Sequence, residues 1–341
     1  MADDTDVLSD LDPILAGEDT SASPWITPPY TDDPAKRDYV PDYDIARRLL
    51  AVPIGEGRAE EQQSGRVAKA LDAWIAHELR RAGFPEGSVF PRRRRPRVLS
   101  PELAPLEAQL DQVLELLAAE EAKLKSSGEG TYLRPVKFRH AVAKLRTLIP
   151  GSANADILGR FYVKQVDVAV TSWQRGPDVL VSTKTQFSSY LNNKNNRYEE
   201  AVGEATNLRD RYPMAAMGFV FLVRSNIHEE QGAFIYLRNQ LARLRRPDGP
   251  FDATMLLVAD WADDDKALMP IEDTVEPLTA QAFFEDLLTA VMDNTPVDLH
   301  QELRLRHQGE PPPGGMPPLE SGAAPDEAAD FDPGEPPADG H

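Results

Sequence analysis

Phe161-Tyr-Val-Lys-Gln-Val-Asp-Val-Ala-Val170 and Asp178-Val-Leu-Val-Ser-Thr-Lys184, joined across Gln174-Arg-Gly-Pro177, decide how this chain folds. Both runs are rich in β-branched residues, the first also in aromatics, a composition that favours strands. The Gln-Arg-Gly-Pro segment between them is turn chemistry. With the turn centred near Gln174 and Arg175, residues that oppose each other across the hairpin sum to about 349. Asp167 then faces Ser182, and Lys184 lies one pleat further along the same face. An Asp and a Lys fixed on one face of a buried hairpin are costly as core residues, which makes them candidates for chemistry.

Outward from the hairpin, the spacing predicts a helix from about Asn196 to Arg211, stopped by Pro213. An apolar strand, Met217 to Val223, comes next. It is followed by a basic helix through Arg238, Arg243, Arg245 and Arg246, then a strand, Thr254 to Ala259. Helices over about 280–292 and 297–306 complete this part. Strands alternating with helices in this order predict an α/β fold with a mixed sheet. On the N-terminal side, Gly65 to Arg81 is helical, with Val67, Leu71, Trp74, Ile75 and Leu79 on one side and Gly83 as its C-cap. A second helix starts after Ser100-Pro101 and runs to about Lys125. Its apolar positions Leu103, Leu106, Leu110, Val113, Leu117 and Leu124 step by three and four. That seam is expected to pack on the chain's own core, with a short coiled-coil dimer contact as the alternative. A further helix over 136–149 ends at Pro150-Gly151.

The net charge of −19 belongs to the ends of the chain. Residues 1–45 carry 12 acids against Lys36 and Arg37, and 308–341 carry 8 acids and no Lys or Arg, leaving −1 for 46–307. A global acidity argument against nucleic-acid binding therefore fails, because local charge sets binding. The expected organisation is an acidic, largely disordered segment over 1–45, in which Trp25, Tyr30 and Tyr39 could dock on the body. A helical accessory region over 46–130 and an α/β domain over 131–307 follow. A disordered Pro/Gly/acidic tail over 308–341 ends the chain. A solvated tail is the plain expectation for both ends, and a DNA-mimicking or partner-docking tail the sharper one. There is no cysteine, which excludes disulfides, thiolate metal sites and thiol nucleophiles. No apolar run approaches the roughly 20 residues that span a bilayer. With no apolar signal segment at the acidic N-terminus, a soluble cytoplasmic protein is expected.

Hydrolysing a phosphodiester with Mg²⁺ calls for hard oxygen ligands and a cation near the developing charge. Asp167 can supply a ligand and Lys184 the cation. Lys164-Gln-Val-Asp167 followed by Val181-Ser-Thr-Lys184, then a helix and a strand, resembles the PD-(D/E)XK nuclease superfamily over about 136–260. The resemblance implies a restriction-endonuclease-like mixed sheet flanked by helices, with 131–307 as the nuclease domain. It also implies a Mg²⁺- or Mn²⁺-dependent endonuclease acting on double-stranded DNA, with a role in restriction or phage defence. Cutting both strands generally needs two active sites, so a homodimer or larger assembly is expected. Ser182 departs from the pattern, standing where the family has its second acid. A subset of type II restriction enzymes reads Ser-x-Lys on the strand and recruits a Glu from the next helix. Here that helix carries Glu199 and Glu200, and Glu204 shares a flank with Glu200 at i, i+4. The resemblance implies Asp167 and Glu200, or Glu199, as metal ligands, with Glu204 ranked third and the Thr183 carbonyl as a further oxygen. Lys184 would orient the attacking water. The competing expectation is a catalytically silent nuclease fold that binds DNA or a protein partner; a structural subunit assembled through the 103–124 seam is a third.

Around this core, Gln186, Lys194 and Arg197 lie in a loop of amides, hydroxyls and cations suited to phosphate and base-edge contacts. The run Arg92-Arg-Arg-Arg95-Pro-Arg97 is a phosphate-contact candidate or a basic linker that meets the acidic tails. Glu78 is read as a helix-surface glutamate, with the family's outer acid as the alternative. Asp178 is read as turn chemistry, about 20 Å from Lys184 along its strand. The six histidines show no metal-ligand spacing, and no phosphate-cradling Gly-rich loop or nucleophile elbow is present.

Overall fold

A computed structural model describes residues 8–31, 33, 36–55, 64–93, 104–127, 133–146, 155–172, 175–192, 194–245, 249–261, 268–273 and 276–310. In chain order its elements begin with α1 (Asp12–Ala16), β1 (Trp25–Ile26), β2 (Asp38–Tyr39), α2 (Tyr43–Gly55), α3 (Ser64–Arg81) and β3 (Val89–Phe90). Next come α4 (Ala104–Ser127), α5 (Leu133–Arg146), β4 (Ala155–Leu158), β5 (Val163–Val166), β6 (Val168–Ser172) and β7 (Gly176–Gln186). The chain continues through α6 (Lys194–Arg209), β8 (Ala216–Arg224), α7 (Ala233–Leu244), β9 (Ala253–Trp261), β10 (Leu268–Asp273), α8 (Ala280–Asn294) and α9 (Gln301–Gln308).

The main sheet is six-stranded, in the order β10-β9-β8-β7-β6-β3. Strands β7, β8 and β9 run parallel, and the pairs outside them are antiparallel. Parallel neighbours need crossovers, which α6 and α7 supply, and covering both faces makes these strands nearly continuous apolar runs. Val179 and Val181 of β7 point into a core shared with α3 and α8. Leu180 points the other way, into a core shared with α6 and α7. The β6–β7 hairpin has the expected register, Val168 opposite Val181 and Val170 opposite Val179, up to a bulge at Thr171. No helix among the described residues is long and apolar enough to cross a membrane.

Two expectations change here. The 161–170 run is not one strand. Val163–Val166 pairs with β4 in a separate two-stranded ribbon, and the chain bends at Asp167 before entering the main sheet. Val166 accordingly sits in the α6-side core and Val168 in the α3-side core. The N-terminal stretch is not largely disordered either: Leu8, Leu11, Leu15, Trp25 and Tyr39 are buried in the α3-side core. Its acidic average hides this apolar set. Tyr39 stacks on Phe284 with centroids 4.9 Å apart, and Trp25 meets Tyr39 edge-on at 5.2 Å. Arg93 holds the arm in place, donating to the Leu15 and Glu18 carbonyls at 3.3 and 3.2 Å and to the Thr20 hydroxyl at 3.2 Å. This guanidinium is therefore spent on the arm rather than on phosphate.

Gly83 closes α3 as expected, at φ +111°, and a Cβ there would lie 2.8 Å from the Leu303 nitrogen of α9. Helices α4 and α5 form a hairpin and pack on each other. The Leu103, Leu106 and Leu124 side chains of the α4 seam lie outside the described residues, as do Arg94 to Arg97 and the tail from 311 onward.

Candidate active site

Asp167 marks the point where one strand leaves the sheet. Past Val168 the ladder partner of β7 turns away, and the Thr183 N–H would be left without an acceptor. The Asp167 carboxylate takes that place, accepting from the Thr183 N–H at 2.9 Å. N–H and C=O of one strand residue point the same way, so the Thr183 carbonyl also faces Asp167. The other Asp167 oxygen lies 4.0 Å from the Lys69 ammonium of α3. Lys69 in turn donates to Asp72 at 2.9 Å, and the Thr183 hydroxyl donates to the second Asp72 oxygen at 2.6 Å. Asp72 is fully buried. Burial pushes its carboxyl up to about 6, Lys69 pulls against that shift, and the negative charge of Asp167 adds to it.

Lys184 and Asp167 do not share a face, as the sequence had suggested. The bend turns the Asp167 carboxylate toward the partners of α3, whereas Lys184 follows Leu180 onto the α6 side. There the Lys184 ammonium lies 3.5 Å from Glu200, with the two side chains 31 % and 53 % exposed. Partial burial raises the Glu200 carboxyl most, but Lys184, a hydrogen bond with Glu204 and the charge of Lys164 together hold it below the ordinary carboxylate range. One turn further on, buried Glu204 is ion-paired with Lys164 of β5. Burial pushes its carboxyl up against the pull of both lysines. The inward face of α6 is apolar: Ala201, Ala205 and Leu208 are buried, with Tyr198 and Tyr212 packed beside them. That geometry selects Glu200 over Glu199, which is exposed and makes no ion pair among the described residues.

Beside Lys184, a cavity of about 40 Å³ opens between α6, α7 and the sheet, lined by Arg197, Tyr198, Phe219, Phe221 and Tyr236 among others. Gln186 also lines it, but its amide donates to the Ser188 and Ser189 carbonyls at 3.0 and 2.8 Å and so organises its own loop. Arg197 is exposed at the rim, and the Lys194 side chain lies outside the described residues.

Two α3 residues were misread. Glu78 is not on the surface. It is fully buried, accepting from the Tyr39 hydroxyl at 2.8 Å, the Asp42 N–H at 2.9 Å and Arg81 at 2.7 Å. It fastens the N-terminal arm. The α3 acid that meets Asp167 is Asp72, which sequence reasoning passed over. Its signal was a lone acid in the apolar run Leu71-Asp-Ala-Trp-Ile75. Asp178 is likewise held away from the site, by Arg175 at 3.1 Å and His300 at 3.4 Å.

The hard oxygen donors that come together are the Asp167 and Asp72 carboxylates and the Thr183 carbonyl, with the Lys69 ammonium as their present counter-charge. Mg²⁺ characteristically takes one or two protein carboxylates, so these donors are of the chemistry it needs, with Lys69 now in a cation's place. Glu200 belongs to Lys184 rather than to these acids. Among the described residues no group of three or more His, Cys, Asp or Glu gathers as a metal cage. Comparison with known protein families, with curated proteins and with solved structures finds no match to this chain.

Proposed function

We propose that this chain is a divalent-metal-dependent DNA endonuclease with a restriction-endonuclease-like core. The observation that carries the reading is the junction at Thr183 and Lys184. One backbone residue there is gripped by Asp167 and Asp72, and its neighbour presents an ammonium backed by Glu200. The element order supports it as well: hairpin, helix, then a strand parallel to the second hairpin strand.

In this reading Asp167, Asp72 and the Thr183 carbonyl would hold Mg²⁺ or Mn²⁺. When bound, the ion supplies Lewis-acid polarisation of the phosphate and acidifies a water. Lys184 places positive charge where the transition state gains negative charge. Glu200, kept ionised by Lys184, fixes that ammonium in turn. Arg197 at the rim neutralises a neighbouring phosphate. Cutting both strands calls for two such sites, and a homodimer supplies them.

The second reading, a silent nuclease fold that only binds DNA, draws on Ser182 and on Lys69, which already counters the Asp72 and Asp167 charges. Incubating supercoiled plasmid with the wild type, Asp167→Ala and Lys184→Ala, in Mg²⁺ and in EDTA, separates the two. Wild-type nicking that needs metal and is absent from both variants supports the enzyme. Metal-independent DNA binding with no cutting by any of the three sinks it.

A further inference from the structure

The tip of the β4–β5 ribbon holds aromatic rings in solvent on a rigid mount. Phe161 and Tyr162 are 69 % and 47 % exposed, and Leu158 and Val163 beside them are exposed too. Isolated exposed apolar residues need no explanation, but a contiguous patch does. This tip is not loose. The Gly159 N–H donates to the Tyr162 carbonyl at 3.0 Å and closes the turn. Asn207 of α6, itself buried, accepts from the Phe161 and Tyr162 N–H groups at 2.8 and 3.3 Å and donates to the Tyr162 carbonyl at 3.0 Å. Its own carbonyl accepts from the Arg160 N–H at 2.9 Å. The fit is so close that a Cβ on Gly159 would lie 2.1 Å from the Asn207 amide nitrogen. Burying an Asn to present two rings outward is a preorganised contact, since little side-chain or loop entropy remains to be lost on binding.

What the rings would meet follows from their position. Along one flank of α6 and just past its end, Glu200, Glu204 and Asp210 each pair with a cation from a neighbouring strand or turn: Lys184 at 3.5 Å, Lys164, and Arg160 at 2.8 Å. Asn207 lies on this flank about 10 Å along the helix from Glu200. A row of ion pairs thus leads from the candidate site to the tip. At its end the Arg160 guanidinium sits 5.2 Å from the Phe161 ring centre. Aromatic rings beside a guanidinium stack on nucleobases without regard to sequence. Bases in an intact duplex have no free face to offer them.

We propose that Phe161 and Tyr162 form a stacking platform for unpaired bases, a few nucleotides from the phosphodiester held at Asp167 and Lys184. This inference rests on the nuclease reading, and the test separates the two. Fluorescence anisotropy with Ca²⁺ in place of Mg²⁺ compares a blunt duplex with the same duplex carrying a short single-stranded overhang. The wild type is expected to bind the overhang roughly tenfold more tightly, by the usual worth of base–aromatic stacking. Phe161→Ala/Tyr162→Ala should lose that preference while keeping its blunt-duplex affinity and Tm, and Phe161→Trp should retain it. Equal wild-type binding of the two probes, or a preference that survives the double substitution, overturns the platform. The nuclease reading would still stand if metal-dependent cutting remains. Failure of the wild type to bind either probe overturns both. A change in self-association on substituting the tip, with DNA affinity unchanged, assigns the rings to a protein contact instead.

Discussion

Thr183 and Lys184 are consecutive residues of one strand, yet they meet opposite environments. On the α3 side, Thr183, Asp72 and Lys69 form a closed set whose polar atoms are turned on one another, with Asp72 fully buried. On the α6 side, Lys184 lines a cavity and its partner Glu200 stands half in solvent. The closed side must be satisfied for the chain to fold, with Lys69 now standing where the proposed metal would sit, whereas the open side already faces solvent and a ligand. Breaking the open side should therefore remove activity and spare stability, and breaking the closed side should cost both. The largest effect is expected from Lys184→Ala, which should lower the plasmid cleavage rate by about 10³-fold, the usual scale for losing a charge-stabilising group. The same variant should change stability in urea by no more than about 0.5 kcal/mol, since the ion pair it breaks is solvated. A variant that unfolds along with losing activity would contradict the contrast.

Asp72→Ala is the matching break on the closed side. It leaves the Lys69 ammonium and the Thr183 hydroxyl without their carboxylate, and removing one partner of a buried ion pair costs about 3 kcal/mol. Urea or thermal melts should report that loss, together with the loss of cutting. A melt within about 0.5 kcal/mol of the wild type would mean that this side is not closed in solution.

The two sides were unequally legible in the sequence. The open side rests on local periodicities. The β-branched composition of 178–184 placed Lys184 on a strand, and the 3.6-residue pattern of Ala201, Ala205 and Leu208 put Glu200 on a flank of the helix without deciding which flank meets that strand. The closed side rests on contacts distant in sequence: Asp72 and Thr183 are 111 residues apart. No local rule pairs them. The bend at Asp167 was hidden for a related reason. Strand propensity runs unbroken from Phe161 to Val170, and only pairing with β4 divides it. The N-terminal arm was misjudged because average composition says nothing of where Leu11, Trp25 and Tyr39 fall.

Acid provides a milder probe of the closed side. His77 lies on α3 five residues beyond Asp72 and is buried. Burial first, then the positive charge of Arg93 and Arg81, lowers it to about 3. Between its unfolded value of about 6.5 and that folded value, the unfolded chain binds a proton that the folded chain refuses. Stability is therefore unaffected by this residue above about pH 6.5 and falls as the pH drops toward 3. Replacing it as His77→Phe should flatten that slope, retaining about 1–3 kcal/mol at the acid end, as read from urea midpoints across the window. An unchanged slope would mean that α3 is wetter than its packing implies.

The smallest expected change is the most discriminating, because it separates holding a cation in place from holding the fold together. Glu200→Gln keeps the size of the side chain and removes only its charge. With Glu200 53 % exposed, solvent screens its attraction to Lys184, and stability should move by a few tenths of a kcal/mol at most. Its activity should fall roughly tenfold, with kcat reduced more than KM. A positioning partner of Lys184 acts on the transition state more than on the bound DNA. Glu204→Gln one turn away, buried against Lys164, should invert the balance, costing about 1–2 kcal/mol of stability and less activity. If both variants lose stability and activity in the same proportion, the row along α6 is a single structural network. The division between an open and a closed side of β7 would then fail.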